Sequence, residues 1–391
     1  MALVRDRLAR HLEVLVEDVG ARPPGSPANR RATSYVAGVL GDCGLSVVEH
    51  PFATRWWEPG DGSLATSQGV LGVRPDPYAA TCDVRGRLER VERLDELEEL
   101  APDPARILVL DGELASEQIL PAAFPFLDVP HHARTRAALR RLRPAGVIAL
   151  SDDWQPVLED PDLGLSSTTL PTVHRDALTR VGWAHLRLGG AVHDGRGSTV
   201  AARHGPAADR AVVSAHLDSK ATTPGAFDNA AGVAVLLALA ETWDEDPGPV
   251  ELVLFNGEDH FDACGEVAWL HATELAEVHA AINVDGVGLS GRGTSLATLA
   301  CPSGLEQAVA DWLAGRAGWV RAEPWLESDH ALFAMRGIPA LAITSEDVHQ
   351  LLGGLAHTPA DTLDVLDLDV LTEVVLALPS LLALVRTSGP H

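Results

Sequence analysis

Apolar residues recur along this chain with two periods. Near the N-terminus Leu8, Leu12, Leu15 and Val16 fall at helical spacing, which predicts an amphipathic helix over 3–19. The turn ARPPGSPANR follows, and Ser26 or Asn29 is placed to cap a second helix running to about Leu40. Gly41 and Gly44 stop it, and LSVVEHPF predicts a strand that ends near Trp56 and Trp57. From about 58 to 181 the pattern changes to short apolar runs broken by Pro and Gly, such as GRLERV, ARILVLDG and GVIAL, with one helix in RTRAALRRLRPAG. HLRLGGAVHDGRGSTVAARHG predicts a hairpin. Beyond it the two periods alternate. Strands are expected at 211–215, 250–255, 279–284, 294–299 and 338–344, and helices at 229–242, 265–277, 303–317, 329–336 and 367–386.

Such alternation predicts an α/β fold, a mixed central sheet flanked by helices on both faces. In such sheets function gathers beyond the carboxyl ends of the strands. The change of texture predicts an inserted smaller β-rich domain over 58–189, within a discontinuous domain made of 1–57 and 190–391. A length of 391 residues suits two domains.

Composition narrows the classes. The net charge of −25 argues against nucleic acid, whose phosphates need a basic footprint. No segment has 18 consecutive apolar residues, so no membrane span is expected. The N-terminus lacks the apolar run and cleavage site of a signal peptide, and the four cysteines have no C-x-x-C spacing. A cytoplasmic location is the expectation. The arginines of 134–143 read as a solvated helix face, and His131-His132, with no carboxylate or thiol at ligand spacing, as an exposed pair.

Candidate chemistry lies at the strand ends. His216 and Asp218 follow AVVSA, and Asp228 follows the next loop. Glu258 and Asp259 follow VELVLF, Asp285 follows HAAIN, and His357 follows IPALAIT and a loop. Four unpaired acids in one pocket repel, and protonation is the usual relief. Two divalent cations reverse that balance. Imidazole and carboxylate ligands suit zinc, and a metal pair can acidify a water and polarise a carbonyl. Of Glu258 and Asp259, one would bind metal and the other face the water as general base.

These pieces, AHLDS, GAFDNAAG, FNGEDH, NVDGVG, SDHALFAMRGIP and HTPADT, occur in the order of metallopeptidase family 28, which the chain resembles over about 20–55 and 195–386. The resemblance implies a zinc-exopeptidase architecture and two divalent metal ions, most simply zinc. It implies that His216 and Asp285 bind one metal, that Asp259 and His357 bind the other, and that Asp228 bridges them through a residue followed by a cis peptide bond. Glu258 would be the general base and Asp218 would orient His216. Ser328, Asp329 and His330 would lie on the substrate-side loop, with a helix cap as the alternative for Ser328 or Asp329. The insertion stands where many relatives carry a protease-associated domain.

Two departures matter. Asp259 stands where most relatives have Glu, one methylene longer. Several relatives also use a Tyr to stabilise the oxyanion, but the only tyrosines here are Tyr35 and Tyr78, outside the motifs. Metal, backbone N–H or His330 would take that role. The expected function is an aminopeptidase acting on small peptides or aminoacyl substrates. The alternatives are a glutaminyl-cyclase-like acyltransferase with one zinc, and a non-catalytic binding relative.

Overall fold

The computed structural model describes residues 1–152, 155–243, 246–348 and 354–387. The chain divides into two compact units: Met1–Thr54 with Gly195–His391, and Arg55–Asp194 between them. In chain order the elements are α1 (Ala2–Leu12), α2 (Pro27–Asp42), β1 (Ser46–Thr66), β2 (Gly69–Val73), β3 (Cys82–Val91), α3 (Leu94–Glu99), β4 (Arg106–Leu110), α4 (Pro130–Leu142), β5 (Gly146–Leu150), β6 (Ser167–Leu170), α5 (Arg175–Arg180) and β7 (Trp183–His204). There follow β8 (Arg210–His216), α6 (Ala231–Thr242), β9 (Val250–Phe255), α7 (Cys264–Ala272), β10 (Val278–Val284), β11 (Thr294–Leu299), α8 (Ser303–Ala314), β12 (Trp319–Arg321), α9 (His330–Ala334), β13 (Ala340–Ser345) and α10 (Leu368–Thr387).

In the first unit the strand order is β12-β11-β13-β10-β8-β9, closed by the C-terminal part of β7. β13, β10, β8 and β9 run parallel; β11 opposes β13, and residues 200–204 of β7 oppose β9. Both faces are covered, as period-two alternation requires. Leu252 and Leu254 of β9 join the main core with α1, α2, α6, α8 and α10. Phe255 points the other way, onto Trp269 of α7, and Trp269 meets Phe333 of α9.

α10 is long and apolar enough to cross a bilayer by length and composition. Its Leu371, Val374, Val375, Leu378, Leu381, Leu382 and Val385 are instead buried in the core against α1 and α6. Helices apolar on one broad face behave in this way in large cores.

The second unit has its own core. β3, β4, β5 and β6 run parallel, residues 183–188 of β7 oppose β3, and β2 pairs with residues 62–66 of β1. Leu108, Leu110, Val147 and Ala149 pack with α3 and α4 on one face, while Ile107, Val109, Ile148 and Leu150 pack toward α5 on the other.

Some local expectations fail. The segment read as a hairpin is one strand, β7, because its glycines continue extended pairing instead of forming a two-residue turn. β1 continues past Trp56 and Trp57 to Thr66. The first helix changes at Glu13 to a wider turn through Val19. The three-residue strand β12 is too short to show a period. Ser26 caps α2, its Oγ accepting from the Asn29 N–H at 3.0 Å.

Candidate metal centre

The parallel strands β13, β10, β8 and β9 lie side by side, so their carboxyl ends share one edge of the sheet. β8 ends at His216 with Asp218 just beyond; Glu258 and Asp259 follow β9, and Asp285 follows β10. Asp228 comes from the loop between β8 and α6, and the Asp228–Asn229 peptide bond is cis. His357 arrives from the segment after β13 with φ +59°.

Asp228 stands at the centre. Its Oδ1 is 3.0 Å from His216 Nε2 and its Oδ2 is 3.0 Å from His357 Nε2. Asp285 Oδ1 lies 3.3 Å from His216 Nε2, and Asp259 Oδ1 lies 2.6 Å from His357 Nε2. Two groups result, His216–Asp228–Asp285 and Asp228–Asp259–His357, each with ligand atoms within 4.8 Å of one another. All five residues read from the sequence as metal ligands therefore meet.

These residues fit a metal. Both ring nitrogens of His216 and Oδ2 of Asp259 are buried without a hydrogen-bond partner. Unsatisfied buried polar atoms are costly, whereas imidazole and carboxylate donors facing a common point suit a divalent cation.

The electrostatics agree. Burial opposes a charge on His216, but Asp285, Asp218 and Asp228 outweigh it and hold the imidazole well above its usual pKa. Burial likewise opposes a charge on His357, yet Asp259 and Asp228 raise its pKa to about 10. Asp228 is desolvated too, but its two imidazole neighbours hold its pKa below the usual carboxylate range. The imidazoles thus serve as counter-ions, a role a metal takes over as it displaces their protons. Glu258 is half-buried. Loss of most of its solvent and the charges of Asp259, Asp285 and Asp329 outweigh His216 and push its carboxyl well above the usual range.

Asp218 lies 3.7 Å from His216 Nδ1 and spans two strand ends, accepting from the N–H of Gly257 at 2.8 Å and of Asp259 at 3.1 Å. Ser328 donates to Asp285 Oδ2 at 2.5 Å and accepts from Asn283 at 2.8 Å, so it meets the cluster directly. Asp329 is buried at the start of α9 without capping it. His330 is fully buried and donates from Nε2 to the Trp325 carbonyl at 2.7 Å. Burial lowers its pKa, leaving the ring neutral.

Several supporting residues escaped the sequence reading. Asp361 accepts from the backbone N–H of Phe227 at 2.6 Å and of Asp228 at 3.1 Å. Arg22 is buried beneath the same loop. Asn29 and Asn256 exchange two hydrogen bonds, of 2.6 and 3.1 Å, tying α2 to the segment that carries Glu258. Glu266 is buried, and burial with the nearby Asp218 raises its pKa well above the usual range. The available signals were Asp361 inside HTPADT and Arg22 inside RPPGS, both within stretches whose sequence resembles the family.

The comparisons bear on this geometry. Residues 199–380 match the model of peptidase family M28. A vacuolar membrane protease of Yarrowia lipolytica is 33% identical over 84 residues, which is 21% of this chain but only 8% of that protein's length. An aminopeptidase from Aneurinibacillus sp. strain AM-1 has a TM-score of 0.75 at 19% identity, over 98% of this chain and 94% of its own. A peptidase M28 precursor from Shewanella amazonensis SB2B scores 0.73 at 18% identity, over 98% and 95%. BSAP, a zinc aminopeptidase from Bacillus subtilis, scores 0.70 at 17% identity, over 98% and 94%. At these identities the solved structures establish the shared fold. Residues 199–380, which hold all five residues of the acid–imidazole cluster, are thus the part of the chain that is similar to peptidase family M28, a little under half of its length.

Proposed function

We propose that the chain is an exopeptidase, an aminopeptidase acting on small peptides, with two zinc ions held by His216, Asp228, Asp285, Asp259 and His357. One observation carries this reading: the two oxygens of Asp228 face His216 and His357, each at 3.0 Å, so a single carboxylate links two ligand groups. Three carboxylates and two imidazoles suit zinc. A metal pair supplies Lewis acidity toward a peptide carbonyl and acidifies a water.

The chain's own residues do the rest. Glu258, next to Asp259 in the segment after β9, takes a proton from the attacking water and delivers it to the leaving amine. Burial and the charges of Asp259, Asp285 and Asp329 favour a proton on its carboxyl, which supports this role. Asp218 holds the segment after β9 through two backbone N–H groups, which sets where Glu258 and Asp259 project. Ser328 restrains Asp285 through its hydroxyl. The division into a peptidase domain of 1–57 with 190–391 and a protease-associated-like domain of 58–189 is part of the same proposal; its support is the separate core of Arg55–Asp194.

The test joins metal analysis to a substrate screen. Two zinc ions per chain with release of N-terminal residues from short peptides are expected. Glu258→Gln should keep both ions and lose about 10²–10⁴-fold in kcat. One zinc per chain together with cyclisation of an N-terminal Gln would sink the peptidase reading. Retained hydrolysis by the Gln variant would remove Glu258 from the mechanism.

A further inference from the structure

The loop between Leu217 and Asp228 carries a cluster residue at each end, and its backbone turns inward on one side chain. Arg22 donates from Nε to the Leu217 carbonyl at 2.6 Å, from Nη1 to Pro224 at 2.6 Å and from Nη2 to Gly225 at 2.8 Å. A weaker bond from Nη1 reaches Gly20 at 3.4 Å, and the Arg22 backbone N–H donates to Ser219 Oγ at 3.1 Å. The side chain is completely buried. The loop is wound so closely that a Cβ on Gly225, whose φ is +64°, would lie 3.2 Å from Arg22 Nη2 and 2.6 Å from the Asp228 carbonyl.

The same loop is held from its other end by an anion. Asp361, also fully buried, accepts from the N–H groups of Phe227 and Asp228, and its own backbone carbonyl accepts from Ala226 at 3.4 Å. The carbonyls of 217, 224 and 225 thus face a cation and the amides of 227 and 228 an anion. Burying a guanidinium is expensive unless its donors are satisfied and counter-charges lie near. Here the donors are satisfied by carbonyls, and the countering charges are Asp361, Asp218, Asp228 and Asp259, two of them members of the cluster.

We propose that Arg22, acting with Asp361, is a positioning residue that shapes the Leu217–Asp228 loop so that His216 and Asp228 converge before metal binds. This rests on the reading of His216 and Asp228 as metal ligands. The planar fork of Arg reaches three carbonyls in three directions, while the single ammonium of Lys cannot reproduce that geometry. The cation also offsets part of the carboxylate repulsion when the site is empty of metal.

The experiment uses the full-length chain with Co²⁺ as the probe, reading affinity by chelator competition and ligand geometry by the visible absorption of the bound ion. Arg22→Lys, Arg22→Gln and Asp361→Asn are compared with wild type and with His216→Ala. Chemical denaturation gives the folded fraction, and affinities are expressed per folded molecule. The expected result is a fall of about 10–100-fold in Co²⁺ affinity for Arg22→Lys, with an altered spectrum, and a larger fall for Arg22→Gln. A merely structural Arg22 would lower stability and leave both readouts unchanged per folded molecule; that result overturns the proposal. If Arg22→Gln does not fold, Arg22→Lys and Asp361→Asn decide alone. If His216→Ala binds Co²⁺ like wild type, the ligand assignment fails, which is distinct from wild-type binding by the Arg22 variants while His216→Ala has lost the metal.

Discussion

Two histidine–carboxylate groups in this molecule look alike by composition and differ in what surrounds them. In the first unit His216, Asp228, Asp285, Asp259 and His357 converge from separate segments onto one strand-end edge. In the inserted unit Glu117 Oε1 lies 2.8 Å from His131 Nε2 and 3.2 Å from His132 Nε2, and these three also lie within ligand distance of one another. His132 is buried, contrary to the exposed pair expected, and Glu117 arrives from outside the motif. Yet the Leu120 N–H donates to His132 Nδ1 at 3.2 Å. In the neutral ring, which burial favours here, that leaves the proton on Nε2 and points a hydrogen at the common point. His131 and Glu117 are more than half exposed, so water competes for them. At His216, by contrast, no backbone donor claims either ring nitrogen. Ligand identity is therefore a weaker guide than the hydrogen bonds behind each ligand.

The largest test of this contrast is deletion. Asp228→Ala should abolish metal binding in both groups and reduce hydrolysis to background, whereas His131→Ala with His132→Ala should leave metal content and kcat/KM at wild-type values. Metal analysis and a peptide assay check both; metal lost from the double variant would place an ion in the inserted unit. A more selective effect is expected at the short-armed acid. Asp259→Ala should lower zinc from two per chain to one, because it strips the His357 group while leaving the His216 group. Equilibrium dialysis against zinc reads the stoichiometry.

The pH dependence separates the groups further. His357 must lose a proton to bind metal, and its pKa of about 10 lies above the working range. Apparent affinity at that group should therefore rise roughly tenfold per pH unit from pH 6 to 9, a slope absent if the imidazole is already neutral. An effect on stability alone, and not on metal binding, is expected in the inserted unit, where Asp76 is buried with Oδ2 unpartnered and burial pushes its pKa up to about 7 from 3.8. The folded state then keeps a proton that the unfolded chain has released. The stability this allows is complete below pH 3.8 and falls as pH rises from there to about 7, by up to roughly 4 kcal/mol. Asp76→Asn should flatten that fall and raise the urea midpoint at pH 8. An unchanged profile would show that water or relaxation already satisfies the carboxylate.

Legibility differed by kind of feature. β8, β9, β10, β11 and β13 lie within about two residues of their expected bounds, because strands buried on both faces are short continuous apolar runs bounded by polar loops. β7 was misread because Gly189, Gly190, Gly195 and Gly197 imitate turn signals, though all belong to one extended strand. The five acids and imidazoles of the cluster were legible because each lies at a strand end or on the loop after one. Arg22, Asp361 and Glu266 were not, since a buried Arg, Asp or Glu looks in sequence like any surface charge. Only the turns of the surrounding loops show that Arg22 faces three carbonyls and Asp361 two amides.

The order of strands and the acids and imidazoles at their ends were determined by the sequence itself, because period and punctuation are local properties. Which of those groups meet was decided by the tertiary structure. Parallel pairing aligns four strand ends, and the Leu217–Asp228 loop, folded over Arg22, brings Asp228 between His216 and His357. The same step set Glu117, His131 and His132 together and then gave His132 Nδ1 to a backbone N–H. Distances across hundreds of residues, and the donors that occupy each lone pair, arise only when the chain closes on itself.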